Sequence, residues 1–260
     1  MTTTDAAVLA PPRPPLLAVL MGGKTVPVLI VCAVLVVVWY LGAIWLNAPM
    51  QIDRFERAKV EWTASDLVRE TWAQERPLLP APHQVLVEMN KTIFGKKITS
   101  KRSLVYHSWV TLSSTLLGFA IGTALGILRA VGIVHNMTLE QSLMPWIISS
   151  QTIPILAIAP MIIVVLGAIG LKGLVPKAII STYLCFFPVA IAISLVGAIV
   201  GELPTGAQAG LGARLLAGSY YGQTIQIWSA LLTAAVLAAL MVTLIGLIER
   251  LVLNRMGMRR

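Results

Sequence analysis

Few polar residues of this chain stand in apolar surroundings, and their types limit the chemistry open to it. Ser149, Ser150, Gln151 and Thr152 sit together just before Pro154, inside the 31 uncharged residues between Glu140 and Lys172. Proline removes a backbone hydrogen bond, which membrane helices tolerate where protein or a cavity re-satisfies the backbone. Hydroxyls and an amide beside such a site could line a polar path; equally, they could hydrogen-bond between helices and hold a bundle together. Glu202 closes a second uncharged run, Ala178 to Gly201, and opens the Gly- and Pro-rich stretch GELPTGAQAGLGAR (Gly201 to Arg214). Its carboxylate suits either a solute path or an interfacial anchor lying in water. Ser150, Gln151, Thr152 and Glu202 are therefore the candidate path residues.

Other constellations are missing. His83, His107 and His135 lack metal-ligand spacing, and no H-E-x-x-H occurs. Cys32 and Cys185 lie in separate apolar runs and read as small buried hydrophobes. Gly23-Lys24-Thr25 resembles the end of a phosphate loop, but its first glycine would fall at Ala18. Asn90-Lys91-Thr92 and Asn136-Met137-Thr138 match a glycosylation sequon too short to carry weight. No catalytic residue, metal site or cofactor is expected. No charge lies in the middle of an apolar run, which disfavours a proton-driven carrier.

The elements that must position these residues are membrane spans. The chain has 260 residues, 57% hydrophobic and 12% charged, with a mean hydropathy of +0.83. Soluble domains carry about 25% charged residues, so a water-soluble enzyme is excluded. Residues 1–25, with Pro11, Pro12, Pro14 and Pro15, read as a disordered cytoplasmic lead-in. Residues 26–46 form the first span, ended by the interfacial aromatics Trp39, Tyr40 and Trp45. Residues 47–108 hold ten basic and seven acidic residues and are expected as a periplasmic loop. Residues 109–260 hold further helices at about 110–133, 142–171, 178–201 and 224–248, then a basic tail.

Gly118, Gly122 and Gly126 mark one close-packing helix face, usable within the subunit or between two copies. Pro145, Pro154, Pro160 and Pro188 are expected helix kinks. The net charge of +9 does not point to nucleic acid, because Arg13, Lys24, Arg250, Arg255, Arg259 and Arg260 flank the spans. That pattern puts both termini in the cytoplasm. Five spans cannot return the chain to its starting side, so one run must be a hairpin or a segment is absent.

Three stretches carry a resemblance: LLGFAIGTALGILRA (Leu116 to Ala130), SLMPWIISSQTIPILAIAPMIIVVLGAIGL (Ser142 to Leu171) and GAIVGELPTGAQAGLGARLLAGSYYG (Gly197 to Gly222). Together with Pro80-Ala81-Pro82-His83-Gln84-Val85-Leu86, they resemble permease subunits of binding-protein-dependent ATP-binding-cassette (ABC) importers, in the branch of nitrate, sulfonate and taurine permeases. The resemblance implies an all-α, polytopic transmembrane bundle of the type I importer fold in the bacterial inner membrane. It also implies a second permease copy (a homodimer), two ATPase subunits and a periplasmic solute-binding protein. The permease itself is not an enzyme.

The family carries a cytoplasmic E-A-A-x-x-x-G loop that seats on the ATPase. Here Phe186 to Ile193, similar to the helix before that loop, runs directly into Ser194 to Glu202, similar to the helix after it, and E-A-A occurs nowhere. No ATPase-coupling residue is found. The implied function is alternating-access import of a small polar, anionic or heterocyclic solute, with coupling in doubt. The competing reading is a truncated permease remnant or structural membrane protein that transports nothing.

Overall fold

A computed structural model describes residues 25–152, 155–171, 173–184, 190–203 and 209–256. Among the described residues the regular elements are ten α-helices. These are α1 (Thr25–Ala58), α2 (Ala64–Ala73), α3 (Pro82–Ile93), α4 (Leu104–His135), α5 (Met137–Thr152), α6 (Ile155–Ala168), α7 (Leu174–Leu184), α8 (Ala190–Glu202), α9 (Leu211–Tyr220) and α10 (Thr224–Arg255). Only α1, α4 and α10 are both long and apolar enough to cross a bilayer. The chain divides into two compact units, residues 1–71 and 72–260.

In the first unit α1 continues for twelve residues past the expected end at Leu46, through Asp53, Arg54, Glu56 and Arg57. It stops where Lys59 takes a left-handed conformation, φ +50°. There Val60 N donates to Phe55 O and Lys59 N to Glu56 O, the paired bonds of a Schellman cap. Phe55 and Trp62 stack across this turn with ring centroids 5.9 Å apart. From Val28 to Val38 every large side chain except Cys32 and Ala33 is a Val, Leu or Ile, and most are more than half exposed. An all-apolar, exposed helix requires lipid as its solvent. Thr63 and Asp66 then form a capping box at the start of α2: Thr63 N donates to Asp66 Oδ2 at 3.0 Å, and Asp66 N to Thr63 Oγ1 at 3.4 Å.

In the second unit the stretch expected to be loop up to residue 108 already carries α3. Pro82 opens α3, where its missing N–H costs nothing. Gln84 Oε1 accepts from Ala81 N at 3.0 Å, and Gln84 Nε2 donates to Gln74 O at 2.9 Å. Thr224 Oγ1 donates to Pro77 O, fastening this segment to the start of α10. Met89 and Ile93 of α3 then pack on a core of Leu104, Leu211, Ala230 and Ala234. A second cluster, Ile191, Leu195 and Met241, joins it through Ile199 and Leu237. The core therefore lies between α3, α4, α8, α9 and α10.

Two expected helices need correction. The run 142–171 is described as α5, which begins earlier at Met137, and α6, which ends at Ala168; residues 153–154 lie outside the described part. Asn136 separates α4 from α5, and its Oδ1 accepts from Thr138 N at 2.9 Å as an N-cap. The run 178–201 is not one helix. In a straight helix Lys177 and Glu202 would stand about 37 Å apart at 1.5 Å per residue. Their charged atoms are 3.5 Å apart. α7 and α8 therefore run back along one another; residues 185–189, which include Pro188 and Cys185, lie outside the described part.

Candidate functional site

The α7–α8 hairpin lies along the first half of α4. Thr182 Oγ1 donates to Gly118 O at 3.1 Å, and Ser194 Oγ to Thr115 O at 3.0 Å. The open end of the hairpin meets α4 one turn earlier, and there the polar site assembles. Glu202, the last residue of α8, is fully buried. Its carboxylate accepts from Thr111 Oγ1 at 3.0 Å, from Gly212 N at 2.8 Å and from Lys177 Nζ at 3.5 Å. Lys177 is also buried and donates to Ala209 O at 2.8 Å.

Three successive backbone amides, at the start of α9, receive their acceptors from other elements. Gly210 N donates to His107 Nδ1 at 3.0 Å, Leu211 N to Thr111 Oγ1 at 2.8 Å, and Gly212 N to Glu202. The first four N–H groups of a helix have no partner inside it, and negative charge there is favoured by the helix dipole. Glu202, Thr111 and His107 thus serve as a cap supplied from α4 and α8. Because His107 Nδ1 accepts an N–H, the ring proton sits on Nε2, which donates to Lys101 O at 2.9 Å.

Close approach demands glycine here. Gly210 has φ +126°, and a Cβ on it would overlap the Glu202 carboxyl. A Cβ on Gly212 would come within 2.8 Å of Glu202 Cβ. The arrangement fixes backbone and balances charge. Among the described residues it offers no nucleophile with a base, and no group of three metal-ligating side chains.

The expected alternative for Glu202, a carboxylate standing in water, is therefore wrong: burial is complete and Lys177 balances it. Lys177 lies inside α7. Ser150, Gln151 and Thr152 end α5; their side chains, and Pro154, lie outside the described residues. Pro145 and Pro160 stand within α5 and α6. Gly118 and Gly122 are buried, whereas a Cβ on Gly126 would meet nothing within 4 Å. Sequence reasoning missed His107, Thr111 and Lys177. The signal available was the row His107, Thr111, Ser114, Thr115, Gly118 and Gly122, small or polar residues on one face of an apolar helix.

No family model matches the chain, and no solved structure matches it. Curated relatives do. It is 30% identical over 115 residues to the formylaminopyrimidine transport permease protein ThiX of Halalkalibacterium halodurans, a match covering 44% of this chain and 41% of that one. It is 27% identical over 196 residues to the riboflavin transport system permease protein RibX of Chloroflexus aurantiacus, covering 57% and 71%. A probable ABC transporter permease protein of Haemophilus influenzae is 27% identical over 121 residues, covering 46% and 47%. The chain spans less than half the length of two of these three relatives.

The chain is thus similar over part of its length to three proteins named as transport permeases, and its described residues include three helices long and apolar enough to cross a membrane.

Proposed function

We propose that the chain forms the membrane pathway of an ABC importer for a small nitrogen heterocycle, but lacks the contact through which ATP hydrolysis would drive it. The substrate class rests on two relatives, named for transport of a formylaminopyrimidine and of riboflavin. Its partners are a second copy, ATPase subunits and a periplasmic binding protein. Ser150, Gln151 and Thr152 line the solute path. Glu202 acts on that path through the start of α9, whose Gly212 amide it holds.

The observation that carries the coupling claim is the depth of the hairpin. Thr182 and Ser194, near its closed end, reach only Gly118 and Thr115, about halfway along α4. α7 and α8 have 11 and 13 residues, about 16 and 20 Å at 1.5 Å per residue. A hydrocarbon core is about 30 Å thick. The hairpin thus enters from one face and returns to it. The crossings are then α1, α4, α5 with α6, and α10. Four crossings keep both termini cytoplasmic and place residues 47–108 in the periplasm. The junction of Ile193 and Ser194, where the resemblance puts the family's coupling loop, lies inside α8. Without differential contact to the two ATPase states, nothing shifts the pore between its conformations.

Uptake tests this reading. The chain would be reconstituted in liposomes with its ATPase and binding protein, beside a version carrying a relative's coupling loop between residues 193 and 194. We expect ATP-dependent accumulation of a labelled pyrimidine only with the loop-bearing version. Equal accumulation by both would overturn the coupling claim. None by either, with a range of heterocycles, would favour the non-transporting remnant.

A further inference from the structure

A cavity of 550 Å³ opens where α4 and α10, two membrane-length helices, begin. Four cations line it: Lys91 of α3, Lys96 and Arg102 of the segment before α4, and Arg214 of α9. Glu88 is the one acidic side chain in the lining, so the cavity carries a formal charge of +3. Tyr221 and a few amide and hydroxyl side chains complete it. The volume falls in the range of about 300–1,000 Å³ usual for small-molecule sites. Arg214 Nε is buried there with no hydrogen-bond partner. Four cations converging from three elements, around one carboxylate, would repel one another unless an anion sits between them. A planar guanidinium fork and flexible ammonium groups suit phosphate oxygens best.

We propose that this cavity binds a phosphate group, carried either by a lipid headgroup or by a small soluble phosphate ester. Its position favours both sources equally: the first residues of two spans lie at the level of headgroups and also face water. The site is separate from the Glu202 network, from which it differs in being open and positively charged.

Binding to the purified chain in a neutral detergent would be measured with two probes, glycerol 3-phosphate and dihexanoylphosphatidylglycerol. At least one should bind saturably at one site per chain. The Lys96→Gln, Arg102→Gln double variant should weaken that binding about tenfold or more, the scale of lost charge-assisted hydrogen bonds. Arg102 is exposed and Lys96 half-buried in a loop, so the melting temperature should hold. Lys91→Gln, at an exposed position on α3, is the second variant and should also weaken binding. Equal affinity for the two probes would assign the site to phosphate alone; binding of the lipid only would assign it to a headgroup. Saturable binding of neither probe, or unchanged affinity in folded variants, would overturn the proposal.

Discussion

Glu202 and Lys177 make the sharpest test at the scale of single residues. Removing one partner of a buried ion pair strands the other charge and costs about 3–5 kcal/mol, whereas removing both costs far less. Glu202→Gln and Lys177→Met should each lower the melting temperature in detergent more than the double substitution does. Additive losses would show that the pair is not coupled. Glycines give a second contrast. Gly210→Ala combines a forbidden φ with overlap on Glu202 and should cost about 3 kcal/mol or more. Gly126→Ala adds a methyl to open space inside a helix and should stabilise the single chain by about 1 kcal/mol. Should Gly126 instead pack against a second copy, the same substitution would weaken dimers, which crosslinking reads directly. Glu202 was legible in the sequence as a residue of consequence because it interrupts an apolar run. Lys177 was not, because its partner lies 25 positions away and only the fold of the hairpin joins them.

Helix ends were the least legible elements, and capping chemistry explains why. Hydropathy places the end of the first span at Leu46, yet α1 continues through Pro49 and runs until Lys59 reverses the backbone. The 24 uncharged residues from Ala178 read as one span because periodicity cannot see a reversal inside a continuous apolar run. The start of α2, by contrast, is written locally in Thr63-Ala-Ser-Asp66. Hydrogen bonds from the Thr63 hydroxyl and amide hold the Asp66 carboxyl below its ordinary value of 3.8. A depressed value in the folded chain means the cap's contribution is complete above the unfolded value and is lost as pH falls through the folded one. Amide exchange in α2, corrected for intrinsic rates, should therefore keep its protection at neutral pH and lose it in acid. Asp66→Asn should remove that acid limb; an unchanged profile would show that the carboxylate does not cap the helix.

Across the whole molecule, the polytopic all-α class was legible from composition and run lengths alone, while the number of crossings was not. Five apolar runs gave an odd count, and the half-depth hairpin proposed above would remove the conflict. The resulting arrangement is open to single-cysteine labelling, with Cys32 and Cys185 first replaced. A probe at position 60 should react from the periplasm and one at position 258 from the cytoplasm. Labelling of both from the same side would require an even number of crossings between them, against the three proposed here.

In the proposed arrangement the ATPase has no loop to grip at the junction of Ile193 and Ser194 inside α8, and co-purification measures that grip directly. The tagged chain and the version bearing a relative's coupling loop would each be expressed with the ATPase subunit, extracted with magnesium ATP present, and passed over a sizing column. The ATPase is predicted to remain with the loop-bearing version and to separate from the chain as it stands. An ATPase that travels equally well with both would contradict the account, by showing that another cytoplasmic surface supplies the contact.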